Sequence, residues 1–370
     1  MYDIAVVGAG IVGLAHALAA ARKGLRVVVL ERNSHAVGAS IRNFGLVTVT
    51  GQKAGREWQL ARRSRDIWDE IAGSAGISIL QRGMALAVRR ESAVGVLESF
   101  LETDMGEGCT LLSGKDCRDR LPGWAGRDTR AALISPHERR INPRDALPAL
   151  ARWLEQHHDV TFRWNSNVSA VEPPFLETSN GPVRAARAVI CPGDDFSTLA
   201  AGRFAALGIR KCQLHMLRAR PASTADMPMP LMSDLTLTRY PGYQGLPGLD
   251  ALMEDVEADQ PAAVAHGVHL IVVQNADRSL VIGDSHHYGA TPQPFYCQTV
   301  EDQILGEYRQ ATGQDAPMVL ERWLGTYASL PDRHFLVDSP SETLRTVLVT
   351  SGCGMSIAFG LAEMIMEEWN

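Results

Sequence analysis

Ile4-Ala5-Val6-Val7-Gly8-Ala9-Gly10-Ile11-Val12-Gly13 opens the chain, and Val27-Val28-Val29-Leu30-Glu31 completes the unit, with Glu31 eighteen residues past Gly13. The first apolar run, rich in β-branched residues, reads as a buried parallel strand. Good helix formers from Leu14 to Lys23 follow the glycines, and Gly24 stops them as a C-terminal cap. The second run reads as another buried strand. Each glycine has a task in such a unit. Gly8 turns the chain sharply off the strand, Gly10 lets a pyrophosphate approach the backbone, and Gly13 lets the helix pack against the sheet. Ile11 and Val12 then sit at the helix N-terminus, which faces the phosphates. Glu31, with Arg32 beside it, stands where a carboxylate accepts hydrogen bonds from ribose hydroxyls, and it would repel a 2′-phosphate. The unit therefore predicts a dinucleotide-binding α/β domain; NAD and FAD both remain open at this point, with NADP disfavoured.

The rest of the composition narrows the class. A chain of 370 residues exceeds the roughly 250–300 at which single cores stop growing, so two domains are expected. An apolar fraction of 45% and a charged fraction of 21% are those of an ordinary globular protein, not a disordered one. Lys and Arg number 36 against 42 Asp and Glu, a net charge of −6. That balance argues against nucleic acid as a partner and against a polybasic membrane anchor. Six cysteines (Cys109, Cys117, Cys191, Cys212, Cys297 and Cys353) form no C-x-x-C pair, so reduced thiols in a cytoplasm are expected, with no metal site. The apolar stretch from Ile11 to Ala21 contains His16 and is too short to span a bilayer.

Two further segments favour FAD over NAD. Gly38-Ala39-Ser40-Ile41-Arg42-Asn43-Phe44-Gly45 lacks helical or strand periodicity and offers a hydroxyl, a guanidinium and an amide within four residues. As a loop it would carry these toward the far half of an extended dinucleotide; the plainer alternative is a surface loop with a stray arginine. At the other end, Val347-Leu348-Val349-Thr350 reads as a strand, Ser351-Gly352-Cys353-Gly354-Met355-Ser356 as a tight turn and Ile357 to Trp369 as a helix. Such a helix N-terminus would stabilise negative charge on a reduced flavin. The strand Ala186–Ile190 entering Cys191-Pro192-Gly193, and the short strand from Asn167 through Val168 to Val171, would lie along the same cofactor.

These motifs together resemble the D-amino-acid oxidase superfamily of FAD enzymes, which includes glycine oxidase and sarcosine oxidase, over nearly the whole chain. The stretch Ala39-Ser40-Ile41-Arg42-Asn43-Phe44-Gly45, continuing to Thr50-Gly51-Gln52, is similar more narrowly to a bacterial clade found with phosphonate-degradation genes. The resemblance implies FAD, a small-molecule amine substrate, and molecular oxygen or another electron acceptor. The departures are informative. Where sarcosine oxidases bind FAD through a cysteine, this chain has Gly325, which implies non-covalent FAD. Where they place a lysine that promotes oxygen reduction, it has Val281, which leaves oxidase and dehydrogenase both open. Where glycine oxidase clamps its substrate carboxylate with an arginine, the nearest residue is Tyr327. The resemblance to the narrower clade implies an aminophosphonate related to 2-aminoethylphosphonate, with glycine, sarcosine or a D-amino acid as the alternative.

A phosphonate needs several donors. The candidates are Arg239, Tyr240, His269, His286 and Tyr327, with Arg42, Tyr240, His286 and Tyr327 expected nearest the chemistry. Of the adjacent His286 and His287, one is expected inward and one in solvent. Asp284-Ser285-His286-His287 would suit a metal only with a third ligand, which the nearby sequence lacks.

The middle of the chain reads as helices over Arg56–Ala72 and Pro143–His157, the latter capped by Asn142. A hairpin is expected over Ile79–Arg89, turning at Arg82-Gly83. Strands are expected at Gln213–Arg218, Leu235–Tyr240, His269–Gln274 and Leu280–Ile282, and a mobile loop or lid over Pro241–Pro261. The fold expectation is therefore a Rossmann-like FAD-binding domain (1–51, 137–206 and 326–370) interleaved with an α+β substrate domain (52–136 and 207–325) whose sheet is mixed or antiparallel.

Overall fold

The computed structural model describes residues 1–369 and builds two sheets from one chain. In the first, β1 (Tyr2–Val7) lies between Val183–Ile190 and Val27–Leu30 (β2), all parallel. Thr161–Arg163 extends one side in parallel; Leu344–Val349 extends the other, with Phe335–Ser341 antiparallel at that edge. The hairpin of Val168–Glu172 and Phe175–Thr178 branches off it, completing eight strands. β2 is buried on both faces, as its unbroken apolar run requires.

Helix α1 (Ile11–Arg22) ends as expected: Lys23 caps it and Gly24 follows with φ +74°. The C-terminal helix Gly354–Glu368 packs against both α1 and the helix Arg56–Ile71. The second contact is close because Gly360 has no side chain: a Cβ there would lie 2.6 Å from the Leu60 carbonyl oxygen. Trp68 meets Phe359 edge to face with ring centres 4.9 Å apart, and the Gly360 N–H donates to Ser64 Oγ.

The second sheet has ten strands. Its spine runs His287–Gly289, Arg210–Arg220, Leu280–Gly283, Ile271–Gln274, Leu231–Ser233, Ile79–Val88, Ala131–Ile141 and Leu46–Val47, with Met318–Ser329 and Thr110–Ser113 pairing alongside. Only Leu231–Ser233 with Ile79–Val88 is parallel, so the sheet is mixed, as expected. Leu46–Val47 falls within the first expected nucleotide-binding segment but joins this second sheet.

Three local expectations are corrected. Ile79–Val88 is one strand, not a hairpin: Gly83, at φ +70°, sits at a β-bulge against Ser135 and the strand continues beyond it. Leu235–Tyr240 is not a strand. The buried Asp234 accepts from the Arg89 N–H and the Thr238 hydroxyl donates to Leu235 O, so Asp234–Thr236 coils into a short helical turn. The segment 241–261 is not a long loop, because Leu249–Asp259 is a helix that buries Leu249, Leu252 and Val256 and turns its acids outward.

Candidate active site

Two clefts meet along the 38–45 loop. The first encloses about 1310 Å³ out to its open mouth and the second about 1090 Å³. Ala39, Ser40, Arg42 and Gly193 line both, so the clefts form one elongated channel.

The second cleft is walled by Gly8, Gly10, Glu31, Arg32, Val168, Cys191 and Pro192. Glu31 Oε2 accepts from the Ala9 N–H at 2.9 Å, and Oε1 accepts from the Asn33 backbone and side-chain N–H groups. The carboxylate is thus pinned beside the glycine turn with one edge on the cleft. Arg32 pairs with Asp195 at 2.5 Å. Gly13 lies behind the wall: a Cβ there would come within 1.8 Å of Gly8 O, which explains why the helix can approach so closely. At the helix start, the Ile11 N–H donates to Ser40 Oγ at 3.0 Å, tying the 38–45 loop to the glycine turn.

The first cleft joins the two ends of the chain. Ile11, Val12, Asn43 and Phe44 line it together with Gly352, Cys353, Gly354, Met355 and Ser356. A Cβ on Gly354 would stand 3.4 Å from Ile11 Cγ2, so the start of the last helix abuts the start of the first. Asn43 holds the loop's shape, since its amide donates to Ala39 O and Ser40 O and accepts from the Gly45 N–H. Gly45, at φ +66°, sits against Ile141 O behind the cleft. Ser356 Oγ accepts from the Thr48 N–H at 2.9 Å, which anchors the terminal turn to the second sheet.

The far wall of this cleft is polar. Arg239, Tyr240, His269, His286 and Tyr327 all line it, so the candidates from distant parts of the sequence converge. Tyr327 lies over Gly352, whose Cβ position is 3.1 Å from the ring, and its ring centre is 6.5 Å from that of His286. Arg239 donates to Tyr288 Oη at 2.9 Å. Burial raises the Tyr240 and Tyr327 phenols above their ordinary range, so both keep their protons. Of the paired histidines, His286 faces the cleft, while His287 lies 3.2 Å from His266 Nδ1.

Asp284 was not among the expected site residues, yet it lines the cleft and is buried. Its Oδ1 lies 3.0 Å from His269 Nε2 and its Oδ2 3.9 Å from His286 Nε2. Burial alone would raise this carboxyl; the His269 ring 3.0 Å away and the Arg239 guanidinium outweigh it, and the group lies below the ordinary carboxylate range. Burial also pushes His286 down to about 3 against the opposing pull of Asp284, so the ring is neutral. The ligand-type atoms of His269, Asp284 and His286 lie within 4.8 Å of one another. His269, fifteen residues before Asp284, is the third member the local sequence lacked. Backbone pairing supplies it: the two residues exchange N–H···O=C bonds.

The channel suits an extended dinucleotide bearing a ring system. It has a glycine cradle and a carboxylate at one end, a helix N-terminus behind two glycines near the other, and space between them. The family profile described as FAD dependent oxidoreductase (DAO) matches residues 3–368, and the chain belongs to that family. It is therefore an FAD-dependent oxidoreductase. A search of curated protein sequences finds no match. Solved structures of the same fold include glycine oxidase from Bacillus cereus ATCC 14579, at 16% identity and TM-score 0.78 over 100% of this chain and 95% of that one. L-proline dehydrogenase from P. horikoshii is similar at 17% identity and TM-score 0.78, over 99% and 92% of the two chains. L-alpha-glycerophosphate oxidase from Mycoplasma pneumoniae, solved with FAD bound, is similar at 14% identity and TM-score 0.75, over 100% and 95%.

Proposed function

We propose that the protein oxidises the C–N bond of a small amine carrying an anionic group. The expected substrate is an aminophosphonate related to 2-aminoethylphosphonate, converted to an imine and then to an aldehyde plus ammonia or methylamine. The observation that carries this reading is the cleft wall, where Arg239 stands with Tyr240, His269, His286 and Tyr327; by sequence resemblance Tyr327 falls nearest the position of glycine oxidase's carboxylate clamp, so Arg239 would take the anion instead. Bound FAD would supply the hydride acceptor and pass the electrons to oxygen or another acceptor.

The chain's own residues would do the rest. Gly8, Gly10, Gly13 and Glu31 would hold the pyrophosphate and ribose, and Val168, Cys191, Pro192 and Gly193 would flank them. Ser40 and Arg42 would reach the middle of the cofactor, with Ala39, Asn43, Phe44 and Gly45 shaping that loop. Gly352 to Ser356 would support negative charge on the ring through the last helix's N-terminus. Tyr240 and Tyr327 keep their phenol protons and would orient the amine while excluding water. Gly325 offers no side-chain nucleophile, in keeping with non-covalent FAD.

The same footing supports a division into FAD-binding (1–51, 137–206, 326–370) and substrate-binding (52–136, 207–325) parts. Six free thiols suit a reducing cytoplasm, and no helix among the described residues is long and apolar enough to cross a membrane. A glycine or sarcosine oxidase, or a D-amino-acid dehydrogenase, is the second reading. Glycine oxidase and L-proline dehydrogenase, by their names, favour amino acids, whereas glycerophosphate oxidase, by its name, takes a phosphorylated substrate on the same fold.

The test is anaerobic bleaching of the flavin band near ~450 nm. The panel is 2-aminoethylphosphonate, its N-methyl and 1-hydroxy derivatives, glycine, sarcosine and several D-amino acids. Bleaching by an aminophosphonate supports the first reading; bleaching by glycine but by no aminophosphonate transfers the assignment to the second.

A further inference from the structure

We propose that Asp284, with the His286 ring beside it, is the receptor for the substrate's amino group. The pocket is then a two-ended clamp in which Arg239 takes the anion. This rests on the reading that the cleft takes an amine, and it adds which atoms hold the nitrogen and which amines they admit.

The tautomer of His286 is fixed by its partner. Nδ1 is 2.9 Å from Gly267 O, which can only accept, so Nδ1 carries the hydrogen and Nε2 presents a lone pair. That lone pair faces Asp284 Oδ2, also an acceptor, at 3.9 Å. Two acceptors placed together in a buried wall call for a donor with at least two hydrogens between them. Asp284 Oδ1 and His269 Nδ1 are both buried with no hydrogen-bond partner, although Oδ1 stands close to His269 Nε2. An ammonium group answers this arrangement, because it is cationic and offers up to three N–H donors. Arg239 fixes the other end. The position a Cβ would take on Gly267 lies 3.1 Å from His286 Cβ and 3.2 Å from Arg239 Nη1, so the cationic and anionic subsites flank one glycine.

The ligand class follows: a short zwitterion whose ammonium and anion are only a few bonds apart. A primary or secondary ammonium has enough hydrogens for both Oδ2 and Nε2. A tertiary ammonium has one, and a quaternary ammonium has none. The site therefore admits an N-methyl amine and rejects an N,N-dimethyl one.

The experiment separates nitrogen binding from anion binding on the holoenzyme. Anaerobic rapid mixing gives Kd and the limiting bleaching rate for 2-aminoethylphosphonate, its N-methyl and N,N-dimethyl derivatives, glycine and sarcosine. Calorimetry gives Kd for ethylphosphonate and acetate, which lack the amine. Asp284→Asn is expected to raise the Kd of the amines about 10- to 100-fold, the range for a lost charge-assisted hydrogen bond, and to leave the amine-free ligands within about twofold. Asp284→Glu should recover most of the loss, and N,N-dimethylation should weaken binding to the wild type by a similar factor.

Equal losses for amine and amine-free ligands would overturn the proposal, because Asp284 would then merely hold Arg239 or His269 in place. So would an unchanged amine Kd, tight binding of the dimethyl compound, or bleaching by none of the amines. A chelator that abolishes binding, with Zn²⁺ restoring it, would overturn it in favour of a metal at the same three residues. Should glycine bleach the flavin while aminophosphonates do not, with Asp284→Asn weakening glycine but not acetate, the aminophosphonate reading falls and the amine receptor stands. Should Asp284→Asn fail to retain flavin, His286→Gln and the wild-type methylation series decide: both must weaken amine binding while ethylphosphonate is unaffected.

Discussion

Gly13→Ala probes the fit of the first helix on the glycine turn. The new methyl carbon would lie 1.8 Å from Gly8 O and 3.3 Å from Val6 Cγ1. An ordinary carbon–oxygen contact needs roughly 3.2 Å, so α1 or the turn must yield by roughly 1.4 Å. Both belong to the tightly packed first sheet, and overpacking of this kind costs about 1–3 kcal/mol. With about 2.1 cal/mol/K of unfolding entropy per residue over 370 residues, each kcal/mol lowers Tm by about 1.3 °C. The melting shift is therefore small, about 1–4 °C. The effect on flavin should be larger, because the yielding atoms belong to the glycine turn proposed to hold the pyrophosphate. The assay is the ratio of flavin to protein absorbance after gel filtration, with Tm beside it. Gly24→Ala is the control: that position has φ +74° but nothing within 4 Å, so it carries only a backbone cost. We expect Gly13→Ala to lose most of its flavin and Gly24→Ala to keep it. Full flavin retention by Gly13→Ala, with an unchanged Tm, would refute the claim that this glycine sets the helix against the turn.

Two further outcomes follow from buried charge. Asp234 is fully buried, 3.0 Å from Arg90 and 3.6 Å from Arg89. Asp234→Ala removes a buried counter-charge and the acceptor of the Arg89 N–H, while Arg89 keeps Glu307 and Arg90 keeps Asp259, so it should cost about 1–3 kcal/mol in urea unfolding, whereas an exposed change such as Glu98→Ala should cost under about 0.5. His16 is buried in α1 with Nδ1 2.7 Å from Val12 O, and burial lowers its pKa from 6.5 to about 4. The unfolded chain therefore takes up this proton first as pH falls. Its stability contribution is full above the unfolded value and is lost from about pH 6.5 down toward 4, about 2 kcal/mol of it between pH 7 and pH 5. His16→Leu should flatten the acid limb of the urea-derived stability curve by that amount; an unchanged limb would contradict the assignment.

The nucleotide-binding end was legible because its signals are local. Glycine spacing, an apolar run and a carboxylate at fixed offset each have one mechanical meaning, and Gly8, Gly10 and Glu31 line one cleft. The polar wall was legible only as a set of residue types. Arg239 was read on a strand and lies beyond a helical turn nucleated by Asp234, whose buried partners are about 145 residues away in sequence. Asp284 was passed over because its meaning depends on His269 and on the tautomer of His286, and both are set by backbone pairing that no local pattern encodes. The helix Leu249–Asp259 was hidden by a preceding run of glycine and proline and by its acidic face.

The central claim is that both ends of the chain close on one FAD molecule. Amide hydrogen exchange on the flavin-free and flavin-loaded protein tests it directly. We predict that loading slows exchange in residues 8–14 and in residues 352–357 together. Protection confined to the first segment, with the terminal turn exchanging at the same rate in both forms, would contradict it.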